Sequence, residues 1–286
     1  MNENVIAQIE LDLLVQAIYR RYGHDFRDYS KAHLKRRMQQ FASVKSHGRI
    51  ADLIPKVLHD EAFFETLLRE ISITVTEMFR DPHVFQSLRR VAIPFLRTFP
   101  FIRVWVAGCA TGEEAYSLAI LLKEEGLYDR STIFVTDFND VAVEKAKAGI
   151  YPLDSMSAYT RNYQQAGGSG SFSEYYHAGY DSAAMAPWLK ENMVFANHNL
   201  VTDWVFSEMH LVFCRNVLIY FNQQLQSRVL TLFSEALARG GFLCLGPSED
   251  ITFSSARPLF KQMDEKARIF QLKAANAAPG HPAPGT

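Results

Sequence analysis

Apolar residues recur with a helical period through the first 70 or so positions of the chain. Ile6, Ile9, Leu13, Leu14 and Ile18 fall at helical intervals, and Val57, Phe63, Phe64, Leu67, Leu68 and Ile71 repeat the spacing. Such spacing marks helices that each bury one face, and it predicts a small helical domain over residues 1–80. From Phe101 to Lys273 the texture changes. Short apolar runs (RVWVAG, TIFVTD, MHLVFC, FLCLG) alternate with longer amphipathic ones (AYSLAILLKEEG, DVAVEKAKAG, LQSRVLTLFSEALARGG). Strands alternating with helices predict an α/β domain over 81–273, built on a mainly parallel sheet with both faces covered and ligands at the carboxyl ends of its strands. Between 151 and about 190 the segments GGSGS and FSEYYHAGYDS break the alternation and read as an inserted subdomain with room for a short hairpin. The tail AANAAPGHPAPGT, 274–286, has little to bury and is expected to be disordered.

Composition narrows the class. The 286 residues are 48% hydrophobic and carry 30 Lys+Arg against 31 Asp+Glu, so the chain is long and apolar enough to need no staples. Cys109, Cys214 and Cys244 lie in apolar runs without metal-type spacing, which disfavours a zinc site or a disulfide framework and fits a reducing cytoplasm. The N-terminus MNENVIAQIELDLL has acids where a signal peptide has bases, and no apolar run approaches the ~18 residues of a membrane span. From Arg20 to Arg37 seven Lys or Arg stand against two Asp. That excess marks either a solvated helix surface or a face that meets an acidic partner; with no aromatic stacking platform beside it, nucleic acid is not expected.

Four places have the residues for chemistry. The first strand runs into AGCATGEEAYSLAI, where Gly108 and Gly112 bracket a tight turn and Glu113 and Glu114 open a helix. Small residues admit a ligand to the backbone, while acids in the first helical turn repel a pyrophosphate, and the dinucleotide pattern G-x-G-x-x-G is absent. The second strand ends in Asp137, 25 residues beyond Gly112, where a carboxylate can accept from both hydroxyls of a ribose. Asp140 is the better cap for the following helix, which leaves Asp137 to the ligand. A nucleoside site without phosphate signatures points to S-adenosylmethionine. In MHLVFCRNVLIYF a strand ends at Arg215 and Asn216, with Tyr220 beyond; a surface ion pair for Arg215 and a core position for Tyr220 are the plainer alternatives. In EISITVTEMFRDP, Thr74, Thr76 and Arg80 lie at the junction of the two halves, where clefts form and an arginine can clamp a carboxylate. His198, in FANHNL, is expected to be structural or solvated. Hydrolase, P-loop and zincin signatures are all missing.

With these residues in place, the chain resembles the CheR family of chemotaxis receptor methyltransferases. The likeness lies in ITVTEMFRDPHVF, VWVAGCATGEEAYSLAI, TDFNDVAVEKAKAGIY, FCRNVLIYF and the later GGFLCLGPSE. The resemblance implies a small N-terminal helical domain joined to a Rossmann-like S-adenosylmethionine-dependent methyltransferase domain with an inserted β-subdomain. It implies methyl transfer to glutamate side chains of receptors, leaving S-adenosylhomocysteine and needing no metal. By motif, Thr74, Thr76 and Arg80 would contact cofactor or acceptor, Glu113 and Asp137 would hold its amino-acid and ribose parts, and Asn199 and Leu200 would flank the adenine. Arg215 and Asn216 would line the methionine end, with Arg80 and Tyr220 facing the substrate carboxylate. Thr74 departs from the asparagine common in the family. Lys31, Lys35, Arg36 and Arg37, with the inserted subdomain, would meet the cytoplasmic helical domain of a receptor. Two other readings stay open on the sequence: a methyltransferase with another acceptor, and a non-catalytic cofactor-binding signalling module.

Overall fold

A computed structural model describes residues 2–46, 48–72 and 75–274. Thr74 and residues 275–286 of the expected tail lie outside the described residues. The N-terminal part is helical: α1 (Glu3–Tyr22), α2 (Lys31–Lys45), α3 (Leu53–His59) and α4 (Glu61–Ile71). Asn2 starts α1 by accepting from the Asn4 N–H, and Asp60 separates α3 from α4 by accepting from Phe63, each satisfying an end-of-helix donor. The helical period of α1 is as expected, and of the expected apolar set Leu14 and Ile18 are on the buried face while the other three are not. Leu11, Leu14, Val15 and Ile18 are buried, whereas Ile6, Ile9 and Leu13 are exposed. The 3–4 spacing of the buried set gives a continuous seam toward the neighbouring helices, and Ile6, Ile9 and Leu13 lie on the opposite side.

Beyond α5 (Pro82–Val91) and α6 (Ile93–Leu96) the chain enters the sheet. Its strands in chain order are β1 (Ile102–Ala107), β2 (Ser131–Asp137), then β3 (Ile150–Pro152), β4 (Tyr176–Ala178) and β5 (Ser182–Met185) of the insertion. They are followed by β6 (Met193–Asn197), β7 (Met209–Cys214), β8 (Leu237–Leu245), β9 (Phe260–Asp264) and β10 (Ile269–Leu272). The main sheet has the order β6-β2-β1-β7-β8-β10-β9. The run from β6 to β8 is parallel, and β9–β10 is an antiparallel hairpin on one edge. Strand order reverses between β1 and β7, so the crevice opens where these two neighbours send their loops apart. β7 is buried at every residue, as a central parallel strand covered on both faces must be.

The helices α7 (Glu113–Glu124), α8 (Asp140–Ala148) and α10 (Gln223–Ala236) follow β1, β2 and β7. One correction concerns α7. It was expected to be amphipathic, but it is buried from Glu113 through Leu122, because the sheet lies on one side and the insertion on another. Another concerns α8, whose cap is Asn139, accepting from Val141 and Ala142, rather than Asp140, the first helical residue. The two apolar clusters divide the molecule: one joins α5, α7 and the insertion to one sheet face, and the other joins α1–α4 and α10 to the opposite face.

The insertion contains α9 (Met156–Gln165) as well as the three-stranded antiparallel sheet β3-β5-β4. It is fastened to the loop after β1 by tyrosines. Tyr151 donates to the Thr111 carbonyl at 2.8 Å, and the Tyr159 hydroxyl lies 3.4 Å from Glu113 Oε1. Glu113 also accepts from Thr111 Oγ1 at 2.7 Å. Burial nonetheless outweighs these bonds and pushes its carboxyl up to about 7. The folded protein therefore holds a proton there that the unfolded chain has released, and the associated stability is complete below the unfolded pKa and is lost as pH rises through about 7. We expect Glu113→Gln to flatten the fall in thermal stability between pH 5 and 8, a difference on the order of 3 kcal/mol at the alkaline end. Parallel melting curves of the two proteins across that range check it; identical slopes would contradict the assignment.

Candidate active site

The crevice at the switch point is walled by the ends of β1, β2 and β7 and closed on the remaining side by the N-terminal helices. The turn after β1 is held against the end of β2: the N–H groups of Gly108 and Cys109 both donate to the Thr136 carbonyl at 2.9 Å. Gly108 takes φ +73°, and a Cβ there would stand 2.5 Å from Val217 Cγ2, so only glycine lets the turns after β1 and β7 meet. Ala110 also has a left-handed backbone, at φ 48°, costly for a residue with a Cβ. Asp137 stabilises it by accepting the Ala110 N–H on Oδ2 at 2.9 Å, while Oδ1 accepts from Asn139 at 3.0 Å. Burial raises the Asp137 pKa and the backbone donors oppose that rise. Asp137 lines the cleft while clipping two loops together.

Arg215 leaves the end of β7 with its side chain wholly buried. Its guanidinium pairs with Glu114 and Asp81 and donates to the Arg80 carbonyl at 3.1 Å. Thus it ties β7, α7 and the interdomain junction. Phe79 and Asp81, on either side of Arg80, both have positive φ, so the junction is held in a bent path that presents Arg80 to the cleft. The Arg80 side chain has only a long 3.4 Å approach to the Val75 carbonyl, too weak to hold it. Thr76, Arg80, Glu114, Asp137, Asn199, Leu200, Arg215, Asn216 and Tyr220 all line the cleft. Glu113 does not: it faces the insertion, and Glu114 takes the cleft position. Asn199 is partly committed, its Oδ1 accepting from Val201 at 2.9 Å. His198 combines the structural role expected for it with a place in the wall. Its Nε2 lies 3.2 Å from the Trp204 carbonyl and its ring stands against Trp105.

Residues of the helical domain enter the same cleft. Tyr29, His33, Arg37, Ile71 and Ser72 line it. The basic residues of α2 have different partners. Lys31 pairs with Asp12 at 2.6 Å, Lys35 reaches Asn4, and Arg37 donates to the Glu70 carbonyl while lining the cleft. Arg36, Arg37 and Arg80 all act to stabilise the ionised form of Tyr220, although burial raises its pKa overall.

The polar atoms of the wall show what it fits. Among the described residues, five buried side-chain N or O atoms have no hydrogen-bond partner, and four of them (His33 Nδ1, His198 Nδ1, Arg215 Nε and Asn216 Oδ1) belong to cleft-lining residues. Buried polar groups are rarely left unpaired, so this concentration fits a polar ligand. The cleft wall carries the carboxylates of Glu114 and Asp137, which suit a ribose, a sulfonium and an ammonium better than phosphate. S-Adenosylmethionine fits that set: Asp137 for the ribose hydroxyls, Leu200 and Phe138 for the apolar face of adenine, and Asn216 for the polar end. Among the described residues no group of His, Cys, Asp or Glu could hold a metal ion, and no helix is long and apolar enough to cross a membrane.

Glu249, within GGFLCLGPSE, supports the site without lining the cleft. It is buried, and its two oxygens accept from four backbone N–H groups: Gly246 at 2.6 Å, Asn216 at 3.0 Å, and Val217 and Leu218 at 2.7 Å each. It thereby fixes Asn216 at φ 60° and the turn that carries Tyr220. The signal was an acid shortly after a strand end; what it binds is backbone, which no pattern of side chains reveals. Glu249→Gln puts an amide donor against N–H donors, and we expect at least a tenfold loss of S-adenosylhomocysteine affinity by calorimetry together with about 1–3 kcal/mol of stability. Unchanged affinity would remove Glu249 from the site.

Comparison with known proteins agrees with this geometry. Residues 74–269 match the CheR methyltransferase SAM-binding domain, and residues 9–72 match the CheR methyltransferase all-alpha domain. A Pseudomonas putida protein bearing the name methyltransferase Cher3 is 49% identical over 263 residues, covering 92% of this chain and 96% of the relative. The chemotaxis protein methyltransferase of Listeria monocytogenes is 28% identical, with 86% of this chain and 93% of the relative covered. An uncharacterized 104.1 kDa protein of Rhodobacter capsulatus is 32% identical over 89% of this chain, which spans 27% of that protein. With both family domains present in order and an adenosine-type cleft between them, the chain belongs to the CheR family of S-adenosylmethionine-dependent methyltransferases.

Proposed function

We propose that this protein methylates glutamate side chains in the cytoplasmic helical domains of methyl-accepting chemoreceptors, giving glutamate methyl esters. The observation that carries the reading is the polarity of the cleft. Asp137 lines the side where the cofactor would sit, with Glu114 beside it neutralised by Arg215, whereas Arg80, Arg37 and Arg36 act on Tyr220 on a second side. That second side suits an anionic acceptor, and relatives named chemotaxis protein methyltransferase support a receptor as its source.

Bound S-adenosylmethionine supplies an electrophilic methyl group on a sulfonium centre. The acceptor carboxylate is ionised near neutral pH, so the protein needs no strong general base. What it must supply is position: the attacking oxygen has to lie roughly 3–3.5 Å from the methyl, in line with the bond that breaks. Arg80 can orient the carboxylate through one oxygen and leave the other to attack, with Tyr220 as a second hydrogen-bond donor. Too tight a grip on both oxygens would lower the acceptor's nucleophilicity. The curled junction around Phe79 and Asp81, anchored by Arg215, fixes where Arg80 starts.

The test is transfer of labelled methyl to receptor cytoplasmic fragments from the genome that encodes this chain, scored as base-labile label released as methanol. Asp137→Ala should lose both the release and cofactor binding. Cofactor binding by the wild type without release would point to another acceptor or to a sensing role. Arg80→Ala should lower turnover about 100-fold and Tyr220→Phe about tenfold or less; equal initial rates for the two variants would contradict the roles given to them.

A further inference from the structure

The N-terminal helical domain contributes more than a docking face. We infer that His33 is an acceptor-contacting residue of the active site, so that the helical domain takes part in positioning the carboxylate. This rests on the acceptor proposed above. Tyr29, His33 and Arg37 are spaced four residues apart, and all three line the cleft. Tyr29 is buried and senses the charge of Asp137, so it marks the cofactor end of this ladder. Arg37, near Tyr220, marks the acceptor end. His33 lies between them, its ring edge-on to Tyr220 at 5.9 Å and 68°.

The chemistry of His33 is unspent. Its Nδ1 is buried with no partner among the described residues. A neutral imidazole has one N–H donor and one acceptor nitrogen, and with the ring turned toward the cleft that His33 lines an N–H on Nδ1 can donate to a carboxylate oxygen there. The surroundings favour an anion: Arg36 and Arg37 follow on the same helix, Arg80 faces from the junction, and the first turn of α2 carries no acidic residue. Three features fix the backbone around His33. Ser30, just before α2, donates its N–H to the Tyr220 carbonyl at 2.8 Å, Tyr29 forms an antiparallel bridge with Phe221, and Leu34 is buried beside it. The start of α2 and the Tyr220 turn are therefore joined, which lets His33 and Tyr220 approach one acceptor from different domains.

Substitution separates this role from packing. His33→Phe keeps a ring against Tyr220 and removes both nitrogens, whereas His33→Asn places an amide near the position of Nδ1. We expect His33→Phe to raise KM for the receptor fragment and lower kcat/KM about tenfold, with S-adenosylhomocysteine affinity by calorimetry within twofold of the wild type. His33→Asn should recover kcat/KM to within about threefold. The retained affinity also shows that the variants fold. Wild-type kinetics in His33→Phe would make the ring a packing element and overturn the inference, as would a parallel loss of S-adenosylhomocysteine affinity or a failure of His33→Asn to rescue. If the wild type itself transfers no methyl to receptor fragments, the acceptor reading falls and the role of His33 falls with it.

Discussion

The buried guanidinium of Arg215 is the interaction on which the site depends. A charge removed from water must be paired or it destabilises the fold, and deleting one partner of such a pair typically costs about 3–5 kcal/mol. Arg215 meets this requirement with Glu114 from α7 and with Asp81 and the Arg80 carbonyl from the interdomain junction. One side chain at the end of a central strand therefore sets the relation of the sheet, the first helix of the nucleotide-type turn and the connection to the helical domain. The left-handed backbone at Phe79 and Asp81 is tolerable because these contacts over-determine it.

Around that centre the strand ends are clipped together by carboxylates that bind backbone. Asp137 holds the turn after β1 to the turn after β2, and Glu249 holds the turn after β7 to the turn after β8. Gly108 lets the first and third of these turns touch through Val217. The cleft is thus a set of loops with few independent motions, as a reaction that depends on placing two substrates in line requires. Polar atoms left without a partner by this framework, Arg215 Nε and Asn216 Oδ1 among them, belong to residues that line the cleft.

The helical domain completes the enclosure. Its apolar core is continuous with the sheet face that carries Trp105 and Val212, so it is packed on the methyltransferase domain and brings Tyr29, His33 and Arg37 to the cleft. The basic residues between Arg20 and Arg37 consequently have different fates. Some neutralise acids or meet polar groups on their own domain, and others add positive charge beside Tyr220.

The sequence by itself determined the order of helices and strands, the mainly parallel sheet, the inserted hairpin and the cofactor class. Those features are local: periodicity, turn residues and an acid at a strand end are written in consecutive positions. Tertiary structure decided which of two adjacent glutamates faces the cleft. Glu113 and Glu114 point about 100° apart on a helix, and the contact that separates them, Arg215, lies 101 residues away from Glu114. It likewise decided that α1 buries Leu11 and Val15 and exposes Ile9 and Leu13, since both faces are apolar and the choice belongs to the neighbours. Only the packed molecule could show the role of Glu249 and the entry of His33 into the cleft, because each rests on groups brought together from distant parts of the chain.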